Sequence, residues 1–328
     1  MNYPESEAIK QKIDSVQKIL LNCHHNPDAD SVGSALAMAR VLKKWGKEVR
    51  ILSSTPVSKN LQFLVKEENI KVTDFTKFNY TAFDLFITLD SSSWSRTSGT
   101  RNFEKPKIPF VVIDHHKSNQ KFGDINLLVP DASANSLVLY KLYQDWNTDL
   151  SSDVAEPLLA GILGDTGGLR FPEADIETFE IALQLMKVAD KNKIMFNLYQ
   201  SFEISHVNVW KEVMNNLYVD IRHKFVYSFI RKEVMEKNGY PDNAKAEVSD
   251  MLFQGIDGTD FGVVGVEDKE GYVSVSFRSR TGVDVSRLAS ELGGGGHQWA
   301  SAGRVYEDFD KAVELILQKC REFSSKNV

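Results

Sequence analysis

Four stretches of the chain carry residues able to hold a metal or move a proton, and each follows a run of apolar residues. His24-His25-Asn26-Pro27-Asp28-Ala29-Asp30 follows Ile19 to Cys23, Asp90 follows Leu85 to Leu89, and Asp114-His115-His116 follows Phe110 to Ile113. Asp165 sits in Gly164-Asp165-Thr166-Gly167-Gly168, behind an apolar helical pattern. Taken singly these are ordinary features: Asn-Pro-Asp is turn chemistry, and one Asp after a strand is a common cap. If the apolar runs are strands of one sheet, however, Asp28, Asp30, Asp90, Asp114 and Asp165 gather at one edge. Five crowded carboxylates repel one another and push each other's pKa values upward, and bound divalent cations reverse that penalty. Imidazole and carboxylate donors without thiolate suit Mn²⁺ first, with Mg²⁺, Co²⁺ and Zn²⁺ behind it. A two-metal site is therefore expected. Adjacent histidines on a strand end point to opposite faces, so at most one of His24 and His25 reaches the metals.

The elements that position these groups can be read from periodicity. Ile19 to Cys23 and Val49 to Leu52 read as strands, and the continuous apolar runs Leu85 to Leu89 and Phe110 to Ile113 as strands covered on both faces. Ser31 to Trp45 reads as a helix, with Val32, Ala35, Leu36, Ala39 and Leu42 at helical spacing, Ser31 as its cap and Gly46 as its stop. Further helices are expected near Ser136 to Trp146, Val154 to Leu163 and Glu177 to Val188. Strand and helix in alternation predict an α/β domain with a parallel sheet, and ligands of such sheets bind beyond the carboxyl ends of the strands. After about residue 189 the pattern changes. Phe225 to Ile230, Phe261 to Val266 and Tyr272 to Phe277 alternate like antiparallel strands, with helices near Ala246 to Gln254, Val285 to Leu292 and Phe309 to Phe323. The expected organisation is an amino-terminal domain over 1–188, a linker over 189–206 and a smaller α+β domain over 207–328.

Composition bounds the partners. The 328 residues carry 39 basic and 45 acidic side chains, a net charge of -6, which argues against a long duplex nucleic acid as the main partner. No apolar run approaches the roughly 20 residues of a membrane span. The first residues mix Glu and Lys without a signal-peptide core, so export is not expected. Two cysteines, Cys23 and Cys320, make no disulfide framework and fit a reducing, cytoplasmic setting.

The ordered motifs resemble those of the DHH-family phosphoesterases. His24, Pro27, Asp28 and Asp30 match the family's His-x-x-Pro-Asp-x-Asp, Asp90 its strand-ending Asp, Asp114-His115-His116 its namesake triplet, and Asp165 its fourth Asp. The resemblance implies that His24, Asp28 and Asp90 hold one cation and Asp30, Asp90, His115 and Asp165 the other, with Asp90 bridging. It implies that Asp114 orients the site or binds more weakly, that His116 contacts the phosphate and assists the leaving group, and that His25 lies outside the site. Gly293-Gly294-Gly295-Gly296-His297 with Ala300-Ser301 resembles the glycine-rich signature of the first type of DHH-associated domain, except that Ala302 stands where the family places Gly. Expected substrate-binding residues are Arg96, Arg278, Gly294, Gly295, Gly296 and His297, with backbone N–H groups of the glycine run approaching phosphate.

Members with this short two-domain layout cleave RNA of a few nucleotides and dephosphorylate 3′-phosphoadenosine 5′-phosphate. That is the expected activity here, with Asp90 and His116 as the catalytic pair and two divalent ions, Mn²⁺ foremost, as cofactors. A standalone cyclic-dinucleotide phosphodiesterase is the alternative. An inorganic pyrophosphatase lacks the glycine-rich signature. An RNA-binding appendage like that of alanyl-tRNA synthetase would not need the intact motifs. The resemblance also points to a homodimer.

Overall fold

A computed structural model of the chain describes residues 1–65, 68–100, 103–241 and 243–326. They form two compact units, Met1–Ser201 and Phe202–Val328.

The first unit is built on six parallel strands: β1 (Lys18–Asn22), β2 (Glu48–Ser53), β3 (Ile70–Val72), β4 (Leu85–Leu89), β5 (Phe110–Asp114) and β6 (Ile125–Leu128). Their order is β3-β2-β1-β4-β5-β6. The chain therefore builds outward from β1 in one direction and then returns to build from β4 in the other. Between β1 and β4 lies the switch point where open α/β sheets bind ligands. Alternation along β1 shows why both faces are covered. Ile19 and Leu21 pack into an aliphatic core, whereas Leu20 faces an aromatic cluster of Phe75, Phe86, Trp94 and Phe110.

The helices that frame the sheet are α1 (Ser6–Asp14), α2 (Ala29–Lys44), α3 (Trp94–Ser98), α4 (Asn135–Asp145), α5 (Ser152–Asp165), α6 (Ile176–Met186) and α7 (Lys191–Tyr199), beside a single turn at Gln62–Val65. Helices α2 and α5 meet backbone to backbone. A Cβ on Gly33 would lie 2.3 Å from the Pro157 carbonyl oxygen, and one on Gly164 would lie 2.5 Å from the Ala29 Cβ. The helix expected from Ser31 starts earlier, at Ala29, because Asp28 is the cap: its Oδ1 accepts from the Asp30 and Ser31 amides at 3.1 and 3.0 Å. Ser31 instead accepts the His24 amide on its hydroxyl at 2.9 Å. The stretch 189–206 read as a linker contains α7, which belongs to the first unit.

The second unit contains α8 (Ile204–Asn215), β7 (Tyr218–Asp220), β8 (Phe225–Ile230), α9 (Ala244–Val248), β9 (Phe261–Glu267), β10 (Val273–Ser279), α10 (Val285–Glu291), β11 (Gly295–Gly296), β12 (Ala300–Val305) and α11 (Phe309–Lys326). Its sheet runs β11-β12-β10-β9-β8-β7. The antiparallel expectation fails at one place: β8 pairs with β9 in parallel, because the chain crosses over through α9 before returning. Helix α9 continues into one π-helical turn, Ser249–Phe253, which is the second half of the helix expected up to Gln254. One sheet face packs Val263, Val275 and Phe277 against Leu288, Ile316 and Phe323 of α10 and α11. The opposite face packs Val264 and Val266 against Val209, Val213 and Val248 of α8 and α9.

No helix of the described residues is long and apolar enough to cross a membrane.

Candidate metal centre

Asp90 leaves β4 with φ of +50°, the left-handed region that an aspartate tolerates better than most residues but that still carries strain. The turn is fixed by the Asp90 amide donating to the Ile113 carbonyl at 3.1 Å. It is also held by Asn22, whose amide group bridges the switch point. The Asn22 Oδ1 accepts the Leu89 amide at 2.9 Å, and its Nδ2 donates to the Leu89 carbonyl at 3.3 Å. Asp90 is thereby buried with its two oxygens turned to opposite neighbours. Oδ2 lies 3.5 Å from His24 Nε2. Oδ1 lies 3.4 Å from His115 Nε2 and 3.6 Å from His116 Nδ1.

The two inner histidines are oriented the same way. His24 Nδ1 lies 3.1 Å from the His25 carbonyl and His115 Nδ1 lies 3.0 Å from the Ala132 carbonyl. A carbonyl only accepts, so each Nδ1 carries a proton and each Nε2 is the ring atom turned toward the carboxylates. His24 Nε2 is 3.2 Å from Asp28 Oδ2, and His115 Nε2 is 3.3 Å from Asp165 Oδ2. Asp28 thus divides its oxygens, one capping α2 and the other facing His24.

Asp30 and Asp165 reach the site through the α2–α5 crossing. Asp30 is fully buried and accepts the Asn135 and Ser136 amides at 2.5 and 2.9 Å, at the positive start of α4. Gly161 makes room for it, since a Cβ there would sit 2.5 Å from Asp30 Oδ1 and 2.1 Å from Ser136 Oγ. Burial, then the charges of Asp165 and Asp90, hold the Asp30 carboxyl well above the usual range. Burial also pushes Asp165 up to about 6, against the opposing hydrogen bond from His115. His115 is pulled down by burial but raised further by Asp165 and Asp90, and ends well above the usual imidazole value.

Asp114 has a different task. Both of its oxygens are engaged, Oδ1 by His116 Nδ1 at 2.8 Å and Oδ2 by Asn119 Nδ2 at 2.6 Å. Burial raises the Asp114 carboxyl, but the hydrogen bond and charge of His116 outweigh it and hold the group below its ordinary value. Burial lowers His116, yet the Asp114 bond and the Asp90 charge leave it raised. Asn119 is a residue that sequence reasoning missed, as is Asn22; neither lies in a motif, and each acts through a turn or a neighbouring strand. Arg96 on α3 is brought to the site, its Nη2 lying 3.3 Å from His24 Nε2. His25 is turned aside to Ser54 Oγ, 3.1 Å away.

Among the described residues of the first unit, three sets have ligand atoms within 4.8 Å of one another: His24, Asp28 and Asp90; Asp30, His115 and Asp165; and Asp90, Asp114 and His116. The first two are the sets that the motifs imply, apart from Asp90's place in the second. The residues fit divalent cations on two observations. Asp90 Oδ1 is buried without a hydrogen-bond partner among the described residues, an expensive state for a carboxylate unless an ion compensates it. The donors are carboxylate and imidazole alone, because burial pushes the neighbouring Cys23 thiol up and keeps it protonated.

The remaining expected residues lie in the second unit. Arg278 is buried and its Nε donates to Asp250 Oδ1. The glycine run lies between a helix and a strand, rather than between two helices. Gly293 closes α10 with φ of +70°, its amide donating to the Ser290 carbonyl. The Gly294 amide donates to the Ala289 carbonyl, and Gly295 and Gly296 form the edge strand β11 against β12. The N–H groups of Gly293 and Gly294 are therefore committed within the fold, which departs from the phosphate cradle expected of them. His297 closes the hairpin, its amide donating to the Ala300 carbonyl. Ala302 is accommodated as a regular strand residue, paired with Gly295 and Ser276 and with its methyl exposed.

Comparison with known proteins agrees with this geometry. Residues 18–162 match the DHH family N-terminal domain and residues 222–322 match the DHHA1 domain. The bifunctional oligoribonuclease and PAP phosphatase NrnA of Thermus thermophilus is 30% identical over 310 residues, covering 93% of this chain and 89% of that one. The chain belongs to the DHH family. As a DHH protein it is a metal-dependent phosphoesterase, a hydrolase of phosphate esters. The NrnA of Bacillus subtilis, also a bifunctional oligoribonuclease and PAP phosphatase, is 26% identical, covering 93% of this DHH chain and 95% of its own. An exopolyphosphatase-related protein of Bacteroides fragilis shares the fold, with a TM-score of 0.88 and 23% identity over 98% of this chain and 96% of that one.

Proposed function

We propose that the chain hydrolyses RNA of two to a few nucleotides, including linear dinucleotides, and removes a phosphate from 3′-phosphoadenosine 5′-phosphate. The observation that carries this is the buried Asp90, with one oxygen toward His24 and the other toward His115 and His116. The substrate class is supported by the two NrnA relatives, each matched over most of its length, and by the acidic net charge, which gives a long strand no electrostatic track. Residues 1–188 would carry the hydrolysis and residues 207–328 part of substrate binding. Cys23 and Cys320, both buried and unpaired by disulfide, suit a cytoplasmic enzyme. A homodimer is supported by the exposed apolar stripe of Ile176, Phe179 and Leu183 on α6.

His24, Asp28 and Asp90 would hold one cation, and Asp90, Asp30, His115 and Asp165 the other, with Mn²⁺ favoured by the donor set. Such ions supply Lewis acidity, activating water at neutral pH and neutralising charge that develops on the phosphate. The protein's own groups do the rest. Ala132 and His25 carbonyls fix the imidazole tautomers. Asp114 holds the His116 ring through Nδ1 and raises its proton affinity, which favours a proton on Nε2 for the leaving oxygen. Arg96 lies beside His24, placed to meet a phosphate oxygen with its guanidinium.

A panel of substrates with Mn²⁺ tests the reading: a dinucleotide, a long single strand, 3′-phosphoadenosine 5′-phosphate, a cyclic dinucleotide and pyrophosphate. The dinucleotide is expected to turn over fastest among the nucleic acids. A long strand, a cyclic dinucleotide or pyrophosphate cleaved faster than the dinucleotide would overturn it.

A further inference from the structure

The second sheet carries a cationic cluster that the metal chemistry does not use. On β10, Ser274, Ser276 and Arg278 alternate onto one face, and the register sets Ser274 opposite Arg304 and Ser276 opposite Ala302 on β12. This is the face that α8 and α9 cover over β8 and β9. At the edge of that cover, Lys245 of α9 reaches the sheet and donates from Nζ to Ser274 Oγ at 2.5 Å. Asp250, in the π-helical turn after α9, pairs with Arg278. In the β10–β12 register the pair between the two arginines is Ser276 and Ala302, two small side chains. Lys245, Arg278 and Arg304 thus border these small residues, Arg278 held by Asp250 and the Phe277 carbonyl and Arg304 steadied over the Tyr272 ring at 5.4 Å.

We propose that the second unit holds a phosphate site of its own, formed by Lys245, Arg304 and Arg278, which takes a terminal phosphate monoester in preference to an internal diester. The charge count favours the monoester. Three cations face two carboxylates, Asp250 and Asp268, leaving the cluster net positive, and a net positive cluster draws a group of about -1.5 to -2 near neutral pH more strongly than a singly charged diester. Among the described residues neither Lys245 nor Arg304 has a carboxylate within 4.0 Å, so their charges await a partner. The protonation of Lys245 supports the same reading. Burial, then the charges of Arg278 and Arg304, lower it to about 7, with only Asp268 opposing. Facing it are Ser274 and Arg278 from β10, Arg304 from β12 and Asp268 from the turn after β9, with Glu247 and Asp250 on its own helical segment. An arriving dianion relieves the like-charge strain and draws a proton onto the lysine.

That the phosphate belongs to the substrate rests on the function proposed above, and the test separates the two. With the metal-loaded full chain, a dinucleotide bearing a 5′-terminal phosphate is expected to show a lower KM than the same dinucleotide without it. Lys245→Met and Arg304→Gln should raise only the KM of the phosphorylated form, by about tenfold, with kcat unmoved, while Lys245→Arg preserves it. Equal shifts on both substrates, or none, overturn the site. Calorimetric titration with inorganic phosphate, in two buffers of different ionisation enthalpy, should show uptake of part of a proton near pH 7 that Lys245→Arg abolishes; unchanged uptake in that variant overturns the role of Lys245. If the wild type cleaves neither dinucleotide, the hydrolytic reading fails. The phosphate titration then still decides the site, weaker binding in Lys245→Met supporting it and equal binding overturning it.

Discussion

Beyond the carboxyl ends of β1, β4 and β5 the first unit gathers acids, with Asp30, Asp90 and Asp114 buried and Asp28 and Asp165 at their rim, whereas the second unit gathers Lys245, Arg278 and Arg304 on one sheet face. Both clusters crowd like charges where solvent screens them poorly, and each shifts a titratable member accordingly: Asp165 upward and Lys245 downward. The difference lies in how each is held. The acids are fixed by backbone, through amides on Asp30 and carbonyls behind His24 and His115. The cations stand on long stems anchored mainly by side chains, Ser274 and Asp250, with one backbone contact from Arg278 to the Phe277 carbonyl. Rigid donors suit ions that demand a fixed coordination geometry, and long stems suit a polyatomic anion. Like-charge crowding therefore marks a ligand's sign, and the manner of its restraint marks the ligand's shape.

The largest expected effect breaks the first half of the comparison. Asp90→Asn should keep the fold, by circular dichroism, and lower metal-dependent hydrolysis by about a thousandfold or more. His116→Gln should lower kcat by about a hundredfold or more with KM less affected, as expected for a general acid. Turnover near wild type in Asp90→Asn would remove the assignment.

Next comes a contrast between glycines. Gly161→Ala forces a methyl against Ser136 and Asp30 and should cost about 1–3 kcal/mol in urea denaturation, with metal affinity falling alongside. Gly294→Ala drives a methyl to within 2.0 Å of the Ala302 carbonyl oxygen and should destabilise the β11–β12 edge while leaving metal affinity as it was. Metal affinity lost equally in both would blur the proposed division of labour.

The smallest effect concerns pH. Burial and the Asp250 charge push Glu247 up to about 7, so the folded chain keeps a proton that the unfolded chain releases above about 4.5. Stability from this group is complete below that value and lost as pH rises through 7. Lys245 runs the other way: the unfolded chain holds its proton up to about 10.5 and the folded chain only to about 7, so its contribution is lost as pH falls from 10.5 to 7. Together they place a minimum near pH 7. Urea denaturation at pH 5.5, 7 and 9 should show Glu247→Gln flattening the acid limb and Lys245→Met the alkaline limb.

The sequence made the metal motifs legible because strand ends are local: an apolar run followed by Asp or His needs no knowledge of its neighbours. The α/β character was legible from periodicity for the same reason. What escaped it depends on distant chain. Asp28 rather than Ser31 caps α2 because the Ser31 hydroxyl is taken by the His24 amide, which the fold brings within reach. The parallel pairing of β8 with β9 follows from where the crossover returns, not from either strand's alternation. Lys245 and Arg304 stand far apart in sequence, and only the sheet register and the path of α9 unite them. The glycine run read as a phosphate cradle because its amides look available in sequence; the fold commits two of them to carbonyls of α10.

The crossing of α2 and α5 at Gly33, Gly161 and Gly164 bears on which ions the enzyme tolerates. With peptide units touching, the spacing of Asp30 and Asp165 has no flexible side-chain packing through which to adjust. Asp28, with half of its side chain open to solvent, retains that freedom. One half of the centre is a fixed jaw and the other a yielding one. Discrimination by ionic radius should accordingly reside with the jaw that glycine makes immovable.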